Sequence, residues 1–560
     1  VQTTLSDRTS HSVQERSQIL VLACCAFVLR FLLRLLWPHY VPTGDAITYA
    51  LIAQSIFTHH GLPELLFYFP PVFPSLIAAV NVLLRNVIIS AQMVSIITGS
   101  LLVIPAYWLT KALFASRRAA LVAGALVVVN PLLLEHSLTG LSESTHALLL
   151  LLGLYVGWQA FASQSIGRAI LFGAVMALAF LTRGETSINF FCSLIFLALF
   201  LGRTASIRKR LAVSAAALVV FLLLALPYLI YLRQTCGQWI LSGKTTYNIL
   251  RAEAMDTSPS YLDGVRASMR KAYAIAPDAR LALYSMPQRG LPGFLVSHPS
   301  KTASRFIRNF RWELRQIPAP GWLVIALAMI GLAVSLRSTK NLLPNAYLAL
   351  QVLPLLGTLA VIRLHPAGIP YGRFWVPYVP LLLVYVGLLA DRAWSALIHT
   401  IPAQQTKRLA AGLATGLLGV LLLLQIALAI NKIRHFDRLF IPYKETYVQI
   451  ENLQREIARL IPPGSRLMSA TPEFFINTRF SGLIFPYDSF DAILRYARTH
   501  GVDYILTNIG DNIINQGLGF EKLPRDEVEE HVTLVGQWQG RYFLFKVRPA
   551  TSSYQEDSPD

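Results

Sequence analysis

Cysteine is scarce in this chain, four residues in 560, and Cys24, Cys25 and Cys192 fall inside apolar segments. That excludes a disulfide framework and a thiol metal site, and leaves only Cys236 in a loop-like setting. Charge is scarce as well, at 14% of residues, and acid is scarcer than base, with 30 Asp and Glu against 49 Lys and Arg. A nucleotide-binding glycine loop is lacking: Gly510 and Gly517-Leu518-Gly519 do not sit between a strand and a helix, as such a loop must. The nearest approach to a metal-ligand grouping is His59-His60 with Glu64, a stretch that reads more simply as polar loop.

What the chain has is apolar length. Hydrophobic residues make up 54% of it, and runs such as 211–232 and 409–430 reach the roughly 20 residues that span a bilayer as helix. The expected fold is therefore mostly α, a polytopic membrane helix bundle. Eleven spans are predicted, at 19–37, 90–113, 119–135, 142–162, 168–182, 186–202, 211–232, 320–337, 343–363, 371–390 and 409–430. The first reads as an uncleaved anchor, since no small-residue cleavage site follows it. With residues 1–18 in the cytoplasm, the short inner turns collect Lys111, Arg117, Arg118, Arg168, Arg203, Arg208, Lys209 and Arg210, which is the positive-inside bias. Pro70-Pro71-Val72-Phe73-Pro74 heads a short apolar stretch, expected as a re-entrant or interfacial helix, because a full span there would invert every later loop.

The net charge of +19 does not point to nucleic acid, because it is unevenly placed. Residues 443–560 carry 12 Lys and Arg against 16 Asp and Glu, so the excess belongs to the membrane part. One outer loop, 233–319, holds thirteen basic residues, Lys244 and Arg251 among them, against five acids. A basic loop beside a membrane suits an anionic lipid headgroup or a helix lying on the lipid surface. The last part changes character. Helical periodicity over 446–461, strands at 466–470 and 503–507, a helix at 489–499 and a hairpin of 532–537 with 542–547 predict an extracytoplasmic α/β domain over 431–550, followed by a disordered tail, 551–560.

This topology gathers polar residues at outer helix ends. Asp45 lies in the first outer loop, 38–89. It reads as a helix N-cap or as a functional acid, two roles that do not exclude each other. Glu135, His136 and Glu143 flank the next outer turn, Arg183 and Glu185 the one after, and His365, Tyr371 and Arg373 precede the tenth span. Such a set suits transfer of a group from a phosphate ester to a hydroxyl or amine. A carboxylate takes the acceptor's proton and guanidinium groups hold the leaving phosphate. Those roles fall to Asp45 as base and to Arg183 or Arg373 as phosphate ligands, with Glu143 orienting Asp45, contacting the acceptor or helping to hold a divalent metal ion.

At these residues the chain resembles the GT-C superfamily of polyprenyl-phosphate-sugar glycosyltransferases, which includes protein O-mannosyltransferases and the bacterial aminoarabinose transferase of lipid A. The matching pieces, in order along about residues 19–390, are Gly44-Asp45 with Tyr49 and Ala53, Tyr68-Phe69-Pro70-Pro71-Val72-Phe73-Pro74, Ser142-Glu143, Thr182-Arg183-Gly184-Glu185, and Gly372-Arg373-Phe374 before Pro377. The resemblance implies an inverting glycosyltransferase of the cell membrane with Asp45 and Glu143 as catalytic residues. Tyr49, His136, Arg183, Glu185, Tyr371 and Arg373 would bind substrate. A polyprenyl-phosphate-linked sugar would be the donor, and a lipid, glycan or protein the acceptor. Two departures, Ala46 for the second acid of an Asp-Glu pair and Gly184 for the usual Pro, leave sugar and acceptor open. A lipid-linked-glycan flippase, or a ligase or polymerase using a lipid diphosphate, is the alternative. A transporter would show internal repeats and broken helices with polar groups at mid-membrane.

Overall fold

The computed structural model describes residues 5–37, 44–58, 62–278, 280–285, 299–316, 319–361, 373–400, 412, 416, 419–431, 433–434, 441–469, 471–508 and 530–549. The calls at His59-His60, His365, Tyr371, 509–529 and the tail lie outside these residues. The chain opens with α1 (Leu5–Leu35), α2 (Asp45–Thr58), α3 (Val72–Leu84), α4 (Val87–Leu101), α5 (Val103–Phe114), α6 (Arg117–Val129), α7 (Pro131–Leu138) and α8 (Glu143–Ser163). It continues through α9 (Ile166–Phe180), α10 (Thr186–Phe196), α11 (Ile207–Cys236), α12 (Gly243–Thr257) and α13 (Tyr261–Ala272).

Five helices among the described residues are long and apolar enough to cross a membrane, or up to seven if each of two bent pairs is one span. The chain is a multi-pass membrane protein, and the count of eleven is not confirmed. The expected third span divides at Asn130-Pro131 into α6 and α7, bent by 49°. The cause is local: Asn130 leaves helical geometry, its side chain accepts from the amides of Leu132 and Leu133, and Pro131 starts the new helix without needing a donor. The expected short helix after Pro70-Pro71 is α3, 13 residues long and packed on α2 and α4.

The two ends of the bundle differ in chemistry. At the end where α1 and α6 begin, Lys111 pairs with Glu15, Arg117 donates to Gln18 (2.7 Å), and Ser116 donates to Asp391 (2.9 Å). The other end is where α2, α8 and α10 begin. Between the ends, exposed apolar faces such as Leu222, Leu223 and Leu224 on α11 fit a lipid environment.

The C-terminal unit has a helix, Ile441–Leu460, and a five-stranded sheet of β1 (Arg466–Ser469), β2 (Ser481–Ile484), β3 (Tyr504–Asn508), β4 (Val532–Trp538) and β5 (Tyr542–Val547), in the order β2-β1-β3-β5-β4. The expected hairpin is β4–β5. Strand β2 was not foreseen, because Ser481-Gly482-Leu483-Ile484 carries no alternation over four residues; parallel pairing with β1 makes it a strand. The unit is tied to the bundle. The Gln54 amide on α2 donates to the carbonyls of Phe475 (3.1 Å) and Thr478 (2.9 Å) and accepts from the Asn477 amide (2.8 Å).

Candidate functional site

Three helices begin at one place with a carboxylate at or beside the first turn. Asp45 opens α2, Glu143 opens α8 and Glu185 precedes α10. Helix N-termini carry partial positive charge, so acids are locally favoured there. Here they are matched by whole cations as well. Lys244, at the start of α12, lies 3.1 Å from Asp45 Oδ2, and Arg373 Nη1 lies 2.9 Å from the same oxygen. Arg373 Nε is 3.9 Å from Glu143, Arg183 Nη1 is 2.8 Å from Glu143, and Arg183 Nε is 2.5 Å from Glu185. The result is one alternating chain, Lys244–Asp45–Arg373–Glu143–Arg183–Glu185, of three cations and three acids.

Exposure is lowest in the middle of this chain. The side chain of Glu143 is 2% exposed, whereas Asp45 and Lys244 at one end are 25% and 30% exposed and Glu185 at the other is 29% exposed. Glu143 is therefore the floor, and both ends reach partial exposure. Burial by itself would raise the Asp45 carboxyl, but Lys244 and Arg373 override it and hold the group well below the ordinary carboxylate range. Glu185 likewise falls to about 2, because Arg183 and then His146 outweigh its burial. Burial pushes the Lys244 ammonium below its ordinary value despite Asp45, with Arg373 and Arg183 repelling it further.

Aromatic packing fixes the acids in place. Tyr49, one turn along α2 from Asp45, is 3% exposed, and its hydroxyl lies 2.8 Å from Ser142 Oγ. Its ring meets Phe69 and Phe73 edge-on at centroid distances of 4.6 and 4.9 Å. Tyr49 thus ties α2 to the start of α8. The segment 68–74 forms the wall on which both rest. Lys244 also lies over the Phe69 ring, 4.0 Å from its centroid. This approach depends on Gly243, where an added Cβ would come within 2.5 Å of the Phe67 ring and carbonyl.

Of the residues singled out in the sequence, the structure brings Asp45, Tyr49, Glu143, Arg183, Glu185 and Arg373 together. Glu135 and His136 are buried in α7. Two residues were missed. His146, one turn into α8, is buried with Nε2 2.8 Å from Thr186 Oγ1 and acts electrostatically on Glu185. Lys244 lies 199 positions from Asp45 and was only one of thirteen basic residues in its loop. The usable signal was Ser242-Gly243-Lys244 heading a helix. Among the described residues no group of three or more His, Cys, Asp or Glu is placed to hold a metal ion. The acids of the cluster are matched to guanidinium and ammonium groups.

The family model described as dolichyl-phosphate-mannose-protein mannosyltransferase matches residues 69–231, which holds Glu143, Arg183 and Glu185. ArnT from Cupriavidus metallidurans bound to undecaprenyl phosphate superposes with a TM-score of 0.52 at 14% identity, covering 96% of this chain and 98% of that one. The chain shares the fold of ArnT. ArnT in the apo state gives the same TM-score at 13% identity and the same coverage. The Archaeoglobus fulgidus oligosaccharyltransferase AglB, in complex with an inhibitory peptide and a dolichol-phosphate, aligns over 89% of this chain and 70% of its own, at 14% identity and a TM-score of 0.47. No curated protein matches the chain. The charge chain lies where α2, α8, α10 and α12 begin.

Proposed function

We propose that this protein is an inverting glycosyltransferase that moves a sugar from a polyprenyl phosphate to an acceptor on the outer face of the cell membrane. The observation that carries this reading is the sharing of one partly exposed Asp45 oxygen by two cations where α2 and α12 begin. A carboxylate so held is a weak base, so the arrangement needs something to draw the cations off. A lipid phosphate is suited to that. Arg373 and Lys244 bind it by charge-assisted hydrogen bonds, and as their attention shifts Asp45 regains basicity.

The reaction then follows in order. Asp45 accepts the proton of the acceptor hydroxyl or amine as that atom attacks the anomeric carbon from the face opposite the phosphate. The bond from the anomeric carbon to the phosphate oxygen breaks, and its electrons stay on the lipid phosphate. Arg373 and Lys244, already placed, stabilise that growing negative charge. Glu143 acts as a positioning residue, buried beneath the cluster and aligning Arg183 and Arg373. Arg183 is in turn braced by Glu185. The positive-inside pattern puts the Lys111–Arg118 end in the cytoplasm and the cluster outside. A divalent ion has no assigned role in this scheme.

The decisive experiment is Asp45→Asn in reconstituted vesicles supplied with polyprenyl-phosphate-linked sugars. The variant is expected to insert and fold normally and to lose transfer by at least about 100-fold, general-base assistance being worth on the order of 10²–10⁴ in rate. Near-normal transfer would remove Asp45 from the role.

A further inference from the structure

A cavity of about 200 Å³ lies at the junction of the bundle and the C-terminal unit. Its walls come from four parts of the chain. Glu64 lies in the 3-10 helix Pro63–Phe67, Tyr231 is near the end of α11, Arg280 and Tyr284 follow α13, and Tyr496 and His500 belong to and follow the helix Phe490–Thr499. At about 30 Å³ per water the space equals roughly six or seven waters, near the size of one sugar ring.

The chemistry of the walls selects a ligand. Glu64 Oε2 is buried and makes no hydrogen bond in the protein, which a native interior rarely tolerates without a partner. Burial raises the Glu64 carboxyl to about 7, with Arg466 acting weakly in the other direction, so near neutral pH it can both donate and accept. Arg280 is held in place by Asp278 (2.8 Å) and the Thr235 carbonyl (3.1 Å). His500 commits Nδ1 to the Tyr496 carbonyl (2.9 Å), and its ring lies against Tyr496 at a centroid distance of 4.2 Å. An anion entering here would meet Glu64, and a cation would meet Arg280. A neutral polyol with apolar ring faces meets donors, acceptors and three tyrosine rings.

We propose that this cavity is a binding subsite for a neutral sugar residue. Its position connects it to the reaction. Glu64 and Phe69, the residue beneath Lys244, are five positions apart in one segment, so they lie within about 18 Å of each other. A glycan with one unit in this cavity can present a neighbouring unit toward Asp45. That the bound sugar is part of the acceptor rests on the transfer reaction proposed above; sugar binding itself does not. The C-terminal unit thereby supplies acceptor selectivity through Tyr496 and His500.

The test is saturation-transfer NMR on the purified full-length protein in detergent. The probes are methyl glycosides of neutral hexoses and pentoses and their disaccharides, with choline and inorganic phosphate as charged comparators. At least one saccharide is expected to bind, at least 10-fold more weakly to Glu64→Leu and to Arg280→Gln, and equally to wild type and Asp45→Asn. Arg280 is exposed, so its variant tests the cavity without disturbing the interior. Binding of no saccharide in the panel, binding indifferent to both variants, or preference for choline or phosphate would overturn the subsite. Continued transfer by Asp45→Asn would overturn the reaction while leaving Glu64-dependent sugar binding in place, so the two failures are separable.

Discussion

Replacing Lys244 by Met removes one of the two cations on Asp45 and keeps the length of the side chain. At 3.1 Å and an effective dielectric of about 20, the Coulomb attraction is about 5 kcal/mol. The pair is about a quarter to a third exposed, so water recovers much of that. A net charge-assisted hydrogen bond is worth about 1.5–3 kcal/mol. With tenfold per about 1.4 kcal/mol, the donor KM should rise about 10- to 100-fold if Lys244 holds the phosphate. The same loss acts on Asp45 itself. Its carboxyl is held low by Lys244 and Arg373, and the base must be unprotonated to work. Removing one cation raises its pKa, so the acid limb of kcat/KM moves to higher pH, by about 1–2 units at 1.36 kcal/mol per unit. The assay is a pH–rate profile in proteoliposomes with a lipid-phosphate sugar, with Lys244→Arg restoring both features. An unchanged donor KM together with an unmoved acid limb would refute the coupling of phosphate binding to the base.

Three further outcomes follow from the same geometry. Glu143→Gln leaves the partly buried Arg183 and Arg373 short of a carboxylate, and loss of a charge-assisted hydrogen bond costs about 1.5–3 kcal/mol; the apparent melting temperature should fall, and an unchanged melt would mean Glu143 is not the floor. Gly243→Ala sets a methyl group 2.5 Å from Phe67 and should reproduce the raised donor KM of Lys244→Met with Lys244 still present, measured by the same kinetics. Glu185 has its carboxyl lowered from 4.5 to about 2. Its contribution to stability is thus complete above pH 4.5 and lost as pH falls toward 2. Glu185→Gln should flatten that part of a melting-temperature profile, and an identical acid slope would contradict the ion pair.

Local rules accounted for part of this structure. The N-cap residues Asn86, Ser116 and Ser206 each accept backbone amides at the starts of α4, α6 and α11, as short polar side chains before apolar runs should. The break between α6 and α7 was equally present as Asn130-Pro131 but hidden by continuous hydrophobicity, since span length is judged on apolarity and not on where hydrogen bonding stops. Strand β2 escaped for a different reason: four residues have no period to read, and only pairing with β1 defines them.

The sequence by itself determined a multi-pass helix bundle with a C-terminal α/β unit, and it named Asp45, Glu143, Arg183, Glu185 and Arg373 as polar groups at helix ends. It could do so because a charged side chain among apolar runs is costly and therefore conspicuous. Only the tertiary structure decided that these groups form one alternating chain, that Glu143 is its buried floor, and that Lys244 completes it beyond Asp45. The physical reason is that ion pairing acts over about 3 Å in space and leaves no trace at a separation of 199 residues in sequence.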